Sequence, residues 1–145
     1  MSKPQKIFLS YKFTGEDTNK LAESLKKILS ALRTAGYNVY CAIEDKECFK
    51  ENNRTNKEII SHTLKQIDDC DMILAFLNSD QKSEGMLLEI GYATAKNKVL
   101  AIAIKNGIRT SFLTELAELL IEFHSVDDLC DKLSKVIFQP KSTHP

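Results

Sequence analysis

Residues 71–104, with the sequence DMILAFLNSDQKSEGMLLEIGYATAKNKVLAIAI, contain the pattern that decides the fold. Two short runs, Asp71–Leu77 and Lys98–Ile104, are almost wholly apolar and enclose a longer stretch, Ser83–Asn97. Short apolar runs of this kind are typical of strands buried on both faces, whereas the longer stretch has the length of a helix. The segment therefore predicts a strand, a helix and a second strand parallel to the first.

The same alternation of short apolar runs and longer amphipathic stretches continues on both sides of this segment. Gly36 lies where a glycine commonly ends a helix, and the polar residues Glu44–Asn56 indicate a long exposed loop. The predicted strands are Lys6–Tyr11, Tyr37–Ile43, Asp71–Leu77, Lys98–Ile104 and a short one near Ile121–Phe123. The predicted helices are Glu16–Ala35, Thr55–Cys70, Ser83–Asn97, Ser111–Leu120 and Val126–Ile137.

Strands that alternate with helices in this way predict an α/β fold whose parallel sheet is covered on both faces. We expect a flavodoxin-like, doubly wound sheet of five strands in the order 2-1-3-4-5, in three α/β/α layers. Residues 1–138 suit a single domain, and we expect the tail, residues 139–145, to be disordered.

The composition favours a small molecule or a protein as partner over nucleic acid or a membrane. Lys and Arg number 20, as do Asp and Glu, so no net charge attracts the chain to a polynucleotide or an anionic bilayer. No apolar run approaches the roughly 18 residues that a bilayer span needs. The four cysteines form no CxxC pair and no signal peptide precedes them, so we expect reduced thiols in the cytoplasm.

Several common catalytic motifs are absent from the sequence. It contains no GxGxxG, no GxxxxGK, no HExxH and no GxSxG. Dehydrogenases, phosphate-loop enzymes and serine hydrolases of these motif classes are therefore not indicated. No motif predicts a cofactor or a metal site.

Glu89 is the residue whose surroundings point most clearly to chemistry. It is the only charge in the stretch Gly85–Ala95, and this composition predicts a helix that is buried nearly all round. Small residues at Gly85 and Ala93 leave room for another molecule beside the carboxylate. A buried carboxylate is costly, which favours a function. Two structural explanations stay open: the negative charge of Glu89 interacts favourably with the positive helix N-terminus, or Glu89 forms an ion pair with a lysine such as Lys12.

The remaining candidate residues fall where a doubly wound sheet binds its ligands. This place is the carboxyl edge of the sheet between the first and third strands, where the strand order reverses. Tyr11 is predicted to orient the bound ligand or the carboxylate of Glu89, and Lys12 to hold an anionic group. The residues predicted to line this place are Ser10, Tyr11, Lys12, Asn78, Ser83 and Gly85.

The stretch Ser83–Ile102, SEGMLLEIGYATAKNKVLAI, resembles the signature of the nucleoside 2-deoxyribosyltransferase family. A glycine lies four residues before a glutamate, and Gly-Tyr-Ala follows it. The opening KIFLS and the closing FHSVDDLCDKL extend the resemblance over most of the chain. In this family the glutamate attacks the anomeric carbon, so the resemblance implies that Glu89 is the nucleophile of an enzyme that cleaves N-glycosidic bonds in nucleosides or nucleotides.

Ser83 bears on which of these substrates is used. In the deoxyribosyltransferases an aspartate usually lies six residues before the glutamate, whereas relatives that hydrolyse nucleoside 5′-monophosphates have a phosphate-binding serine there. The resemblance thus implies a nucleoside 5′-monophosphate N-glycosidase, with a deoxyribosyltransferase as the alternative. A serine at this place also suits a helix N-cap, and this structural role is compatible with phosphate binding.

One position departs from the family pattern. Eight residues before Asp71 the family usually has an aspartate that contacts the sugar or the base, and this chain has Thr63. His62 or Asp71 could replace it. A module that binds nucleotides without catalysis therefore remains an alternative.

A second resemblance is to the TIR domain. The segments IFLSYKFTGEDT and NSDQKSEGMLLEI are similar to its opening motif and to the residues around its catalytic glutamate. TIR domains cleave NAD or act as adaptors, but they usually have Trp-Cys where this chain has Gly85 and Met86.

The family resemblance also implies a homodimer or a higher homo-oligomer, because the sites of this family are completed by a neighbouring subunit. Asn106, Arg109 and Ser111, which follow the fourth predicted strand, are the candidate donors.

Overall fold

The computed structural model of the chain describes residues 5–13, 15–45, 54–81, 83–110, 112–136 and 138. The strands are β1 (Lys6–Tyr11), β2 (Asn38–Cys41), β3 (Met72–Leu77), β4 (Val99–Lys105) and β5 (Leu119–Phe123). The helices are α1 (Thr18–Thr34), α2 (Asn56–Asp68), α3 (Glu84–Ala95), α4 (Leu113–Leu116) and α5 (Val126–Lys135). A 3-10 turn, Ala42–Glu44, follows β2.

The five strands form one parallel sheet in the order β2-β1-β3-β4-β5, as predicted. Alternate residues of β1 point to opposite faces of this sheet. Ile7 and Leu9 belong to the core under α1 and α5, whereas Phe8 belongs to the core under α2 and α3. Ser10 points to the same face as Phe8. The predicted flavodoxin-like α/β fold is therefore confirmed.

Helix α1 shows how local sequence fixes one of the outer layers. The carboxylate of Asp17 accepts hydrogen bonds from the backbone N–H groups of Asn19 and Lys20 and so caps the first turn. The apolar face of the helix is buried, and each large side chain on it contributes about 1.5–3 kcal/mol through burial. Gly36, with φ of 100°, then turns the chain towards β2.

The predicted helix Ser111–Leu120 is wrong over most of its length. Among the described residues of this range, only the turn Leu113–Leu116 is helical, and β5 begins at Leu119. The cause is tertiary: the backbone N–H of Glu118 donates to the Leu100 carbonyl, and the next residues pair with β4. The observed strand β5, Leu119–Phe123, is therefore longer than the strand predicted near Ile121–Phe123.

The composition of α3 predicted a helix that is buried nearly all round. This prediction is wrong, because one side of the helix is exposed. Met86, Ile90 and Ala93 are buried, but Leu87 is 39% exposed and Leu88 is 52% exposed. The helix belongs to an outer layer of a three-layer fold, so only one of its faces can meet the sheet. The apolar residues on its other side are left at the surface.

Two predictions concern segments that the structure leaves largely undescribed. Most of the predicted loop Glu44–Asn56 falls on residues 46–53, and the predicted disordered tail is residues 139–145. Within the described part of the chain, no helix has both the length and the apolar character needed to cross a membrane.

Candidate active site

Glu89 and Ser10 form the central contact of the candidate site. The Ser10 hydroxyl donates a hydrogen bond of 2.6 Å to Oε1 of Glu89 and so joins α3 to β1. Ser10 is only 1% exposed, and Glu89 is partly buried. Among the described residues, Ser10 is the one hydrogen-bond partner of this carboxylate. One carboxylate oxygen is therefore fixed by a neutral group.

Burial raises the pKa of Glu89 from 4.5 to about 7, and the hydrogen bond from Ser10 acts in the opposite direction. The shift arises because the carboxylate loses water and gains no positive charge in return. A carboxylate with this pKa is ionised in about half of the molecules at neutral pH. Such poorly solvated carboxylates are common at catalytic sites.

Neither structural explanation for Glu89 fits the observed geometry. Lys12 does not pair with it: its Nζ lies 3.1 Å from Oε1 of Gln81 and 3.7 Å from Oε1 of Glu16. The helix N-cap is Ser83, so Glu89 lies beyond the first turn, within which the helix dipole acts.

The surface of α3 between its N-terminus and Glu89 is open. Ser83 Oγ caps the helix by accepting a hydrogen bond of 3.2 Å from the backbone N–H of Met86. A Cβ added to Gly85 would have Ser83 Oγ as its nearest neighbour, at 4.0 Å. Side chains on a helix lean towards its N-terminus, so Glu89 is directed towards the turn that contains Gly85. Ser83, Gly85 and Glu89 thus follow one another along an accessible surface.

A cleft of about 340 Å³ lies beside this surface, at the carboxyl edge of the sheet. Its walls come from the start of α1, the residues after β3, the start of α3 and the segments on both sides of position 111. Of the predicted site residues, Lys12, Asn78 and Ser83 line the cleft. Ser10, Gly85 and Glu89 lie outside its walls.

Tyr11 points to the other face of the sheet from Ser10. Its side chain packs against the core under α1 and α5, whereas Glu89 lies on α3 on the opposite side. The structure therefore brings Ser10 to the Glu89 carboxylate, and the role predicted for Tyr11 stays a prediction.

The residues considered as replacements for the missing family aspartate differ in position. Thr63 is 6% exposed, and its hydroxyl donates to the Ile59 carbonyl in the preceding turn. Asp71 accepts a hydrogen bond of 2.8 Å from the backbone N–H of Lys6, at the start of β1. Asp71 thus lies at the amino edge of the sheet, the edge opposite to the cleft.

His62 belongs to a polar cluster that the sequence did not predict. Its Nε2 lies 2.7 Å from Oδ2 of Asp45, and the same oxygen accepts a hydrogen bond of 2.7 Å from the Tyr40 hydroxyl. The ring of Tyr40 stacks on Phe8 with centroids 5.3 Å apart. The cluster joins the end of β2 to α2, and no local motif spans the three residues.

The described residues contain no group of three or more His, Cys, Asp and Glu side chains that could hold a metal ion. Cys41, Cys70 and Cys130 are free thiols, while Cys48 lies outside the described segments. Burial raises the pKa of the Cys41 and Cys70 thiols to about 12. These two cysteines are therefore structural rather than nucleophilic.

Comparison with known proteins distinguishes the two resemblances. The sequence profile of the nucleoside 2-deoxyribosyltransferase family matches residues 9–124. The chain belongs to this family. The first resemblance and the prediction of a family enzyme are thereby confirmed. A search of curated protein sequences gave no significant match.

Two solved structures share the fold of this chain. A CMP N-glycosidase, BcmB, from Clostridium botulinum is 16% identical with a TM-score of 0.67, and the match covers 89% of this chain and 97% of that protein. A 2-deoxyribosyltransferase from Bacillus psychrosaccharolyticus is 18% identical with a TM-score of 0.69, and the match covers 94% and 99%. At these identities the likeness concerns the fold.

Proposed function

We propose that this protein hydrolyses the N-glycosidic bond of a nucleoside 5′-monophosphate, with Glu89 as the nucleophile. The observation that carries the proposal is the environment of Glu89. Its carboxylate is partly buried, is hydrogen-bonded to the neutral Ser10, and faces an open strip of α3 that leads to the helix N-terminus. Membership of the deoxyribosyltransferase family supports chemistry at this carboxylate.

The proposed reaction has two steps. In the first, a carboxylate oxygen of Glu89 forms a bond to C1′ while the bond from C1′ to the base nitrogen breaks, and the base leaves with the electron pair and takes up a proton. In the second, water attacks C1′ and releases Glu89. Ser10 holds Oε1, which leaves Oε2 to attack C1′. Poor solvation of the carboxylate favours attack because little water has to be displaced.

The N-terminus of α3 is the proposed site of the 5′-phosphate. The Ser83 hydroxyl and the first backbone N–H groups of the helix suit an anion, and Lys12 adds a positive charge to the same cleft. Ser83 lies six positions before Glu89, which corresponds to a rise of about 9 Å along the helix axis. The lean of the Glu89 side chain shortens this distance, so the sugar would cover Gly85.

Transfer of the sugar to a second base is the alternative reaction. The family name and the structural similarity to a 2-deoxyribosyltransferase support it. Ser83 favours hydrolysis, because the deoxyribosyltransferases that this sequence resembles usually have an aspartate at the position of Ser83. The fold similarity to a CMP N-glycosidase is consistent with this choice.

We also propose a homo-oligomer in the cytoplasm. Large apolar side chains are exposed at Leu88 of α3, Leu116 of α4 and Leu120 of β5. Burial of such side chains in a subunit interface would be favourable. Arg109 and Asn106 are exposed and could reach a neighbouring site, whereas Ser111 lies outside the described residues. A monomer in light scattering with full activity would contradict the oligomer.

A pair of glycine substitutions on α3 tests whether the sugar of the substrate lies over Gly85. Gly85 and Gly91 are both exposed, and an added side chain meets little at either position. Replacing either by Gln should stabilise the helix by about 0.5 kcal/mol. We expect Gly85→Gln to lower kcat/KM at least about tenfold, because the side chain occupies the proposed sugar position. Gly91→Gln is the control and should keep wild-type activity. Equal activities of the two variants would contradict the proposed site.

A further inference from the structure

The cleft beside α3 extends beyond the place proposed for the monophosphate. Ser83 lies on its wall and Glu89 does not, so a nucleotide held at both residues would leave the cleft over Gly85 and fill little of it. The cleft volume of about 340 Å³ lies in the range of sites that enclose a whole organic ligand. Most of this volume is therefore available to a group beyond the 5′-phosphate.

The walls of the cleft suit a flat apolar group. Leu21 of α1 and Phe76 of β3 line one part of it, and Met86 and Leu87 of α3 line another. Phe112 also lines the cleft and is 79% exposed. An inorganic anion gains nothing from such walls, whereas an aromatic ring can stack on Phe112 and bury apolar area.

The charges in the cleft are suited to a second phosphate. Glu16 lies 3.7 Å from Lys12, and the carboxylate of Asp17 accepts hydrogen bonds from two backbone N–H groups of α1. Within the segments that the structure describes, the side chains of Lys20 and Arg109 have no ion-pair partner. The described lining has three cations, Lys12, Lys20 and Arg109, and three carboxylates, Glu16, Asp17 and Asp80. Lys20 and Arg109 are the two of these cations with no ion pair to break before they meet a phosphate.

We propose, on the basis of the function proposed above, that the cleft binds a second nucleoside joined to the substrate by a pyrophosphate. The preferred substrate class is then a dinucleotide. One phosphate lies at Ser83 and the other near Arg109 and Lys20, the ring of the second nucleoside stacks on Phe112, and the first nucleoside presents C1′ to Glu89. Cleavage of the first N-glycosidic bond leaves the second nucleoside intact.

Calorimetric titration of the non-hydrolysing variant Glu89→Gln tests this proposal. The probes are AMP, ADP and the pyrophosphate-linked diadenosine, with the matching cytidine series in parallel. We expect the dinucleotide of at least one series to bind at least about tenfold more tightly than its monophosphate, since stacking of one base is worth this much. Adding Phe112→Ala should remove this gain and leave monophosphate affinity unchanged. Adding Arg109→Gln should weaken the binding of ADP.

The control outside the cleft is Lys26→Gln, which removes an exposed cation of α1 that has no proposed role. Dinucleotides that bind no more tightly than monophosphates would overturn the proposal, as would an equal loss of both affinities in Phe112→Ala. A change of oligomeric state caused by Phe112→Ala would also overturn it, since the cleft would then be occupied by a second copy. Because binding is measured without turnover, failure of the proposed reaction would be recognised separately, by the absence of base release from the wild type.

Discussion

Replacing Glu89 by Gln should make the protein more stable at alkaline pH and leave its stability at acidic pH nearly unchanged. Burial raises the pKa of Glu89 from 4.5 to about 7, so between these pH values the folded state binds more protons than the unfolded state. The stabilisation from the protonated carboxyl is fully present below about pH 4.5 and is lost as the pH rises through about 7. Gln cannot ionise, and its carbonyl oxygen still accepts a hydrogen bond from Ser10.

The magnitude follows from the same pKa. One pKa unit corresponds to about 1.4 kcal/mol, which gives an upper limit of about 3 kcal/mol for a pKa that moves from 4.5 to about 7. Because the carboxylate is partly exposed, we expect a gain of about 2 kcal/mol for Glu89→Gln at pH 8 and a gain below about 1 kcal/mol at pH 5. Urea unfolding at several pH values measures the difference in free energy of unfolding between Glu89→Gln and wild type. The control is Glu84→Gln, at an exposed position in the first turn of α3. A difference between Glu89→Gln and wild type that is the same at pH 5 and pH 8 would refute the reasoning.

Three further predictions concern kinetics. Since Glu89 must be ionised to attack C1′, kcat/KM should rise with pH through about 7. Ser10→Ala removes a hydrogen bond that lowers the pKa of Glu89, so the rise in kcat/KM should move to higher pH. A pH profile that does not move would contradict the role of Ser10. Ser83→Asp keeps an N-cap of similar strength but repels a phosphate, so KM for the monophosphate should rise at least about tenfold while unfolding is unchanged within about 0.5 kcal/mol; an equal effect on the nucleoside would remove Ser83 from the phosphate site. Lys12→Gln should likewise raise KM for the monophosphate more than for the nucleoside, and equal KM changes for the two substrates would argue against an anion at Lys12.

The elements that the sequence predicted best are those whose burial is uniform. The runs around β3 and β4 are almost wholly apolar because both faces of a central parallel strand are covered, and their bounds agree with the structure to within one residue. The segment before β5 failed for the opposite reason. Its residues suit a helix locally, but the free edge of β4 pairs with Leu119 and Leu120. A pairing between strands far apart in the chain leaves no trace in a local window.

The candidate site could be predicted in part. Glu89 was recognisable as a lone charge in an apolar helix, and Ser83 as an N-cap at the strand-order reversal. The choice between Ser10 and Tyr11 depends on which face of β1 each residue occupies, and this depends on the positions of α1 and α3. The contact of Asp45 with His62 likewise joins segments that fold together only through the sheet.

The central claim is that Glu89 is the nucleophile that releases a base from a nucleoside 5′-monophosphate. The most direct test incubates wild type and Glu89→Ala with the common nucleosides and their 5′-monophosphates and measures free base by chromatography. We expect the wild type to release base from at least one monophosphate faster than from its nucleoside, and Glu89→Ala, folded as judged by circular dichroism, to lose at least about a thousandfold in rate. Base release by Glu89→Ala at the wild-type rate would contradict the account.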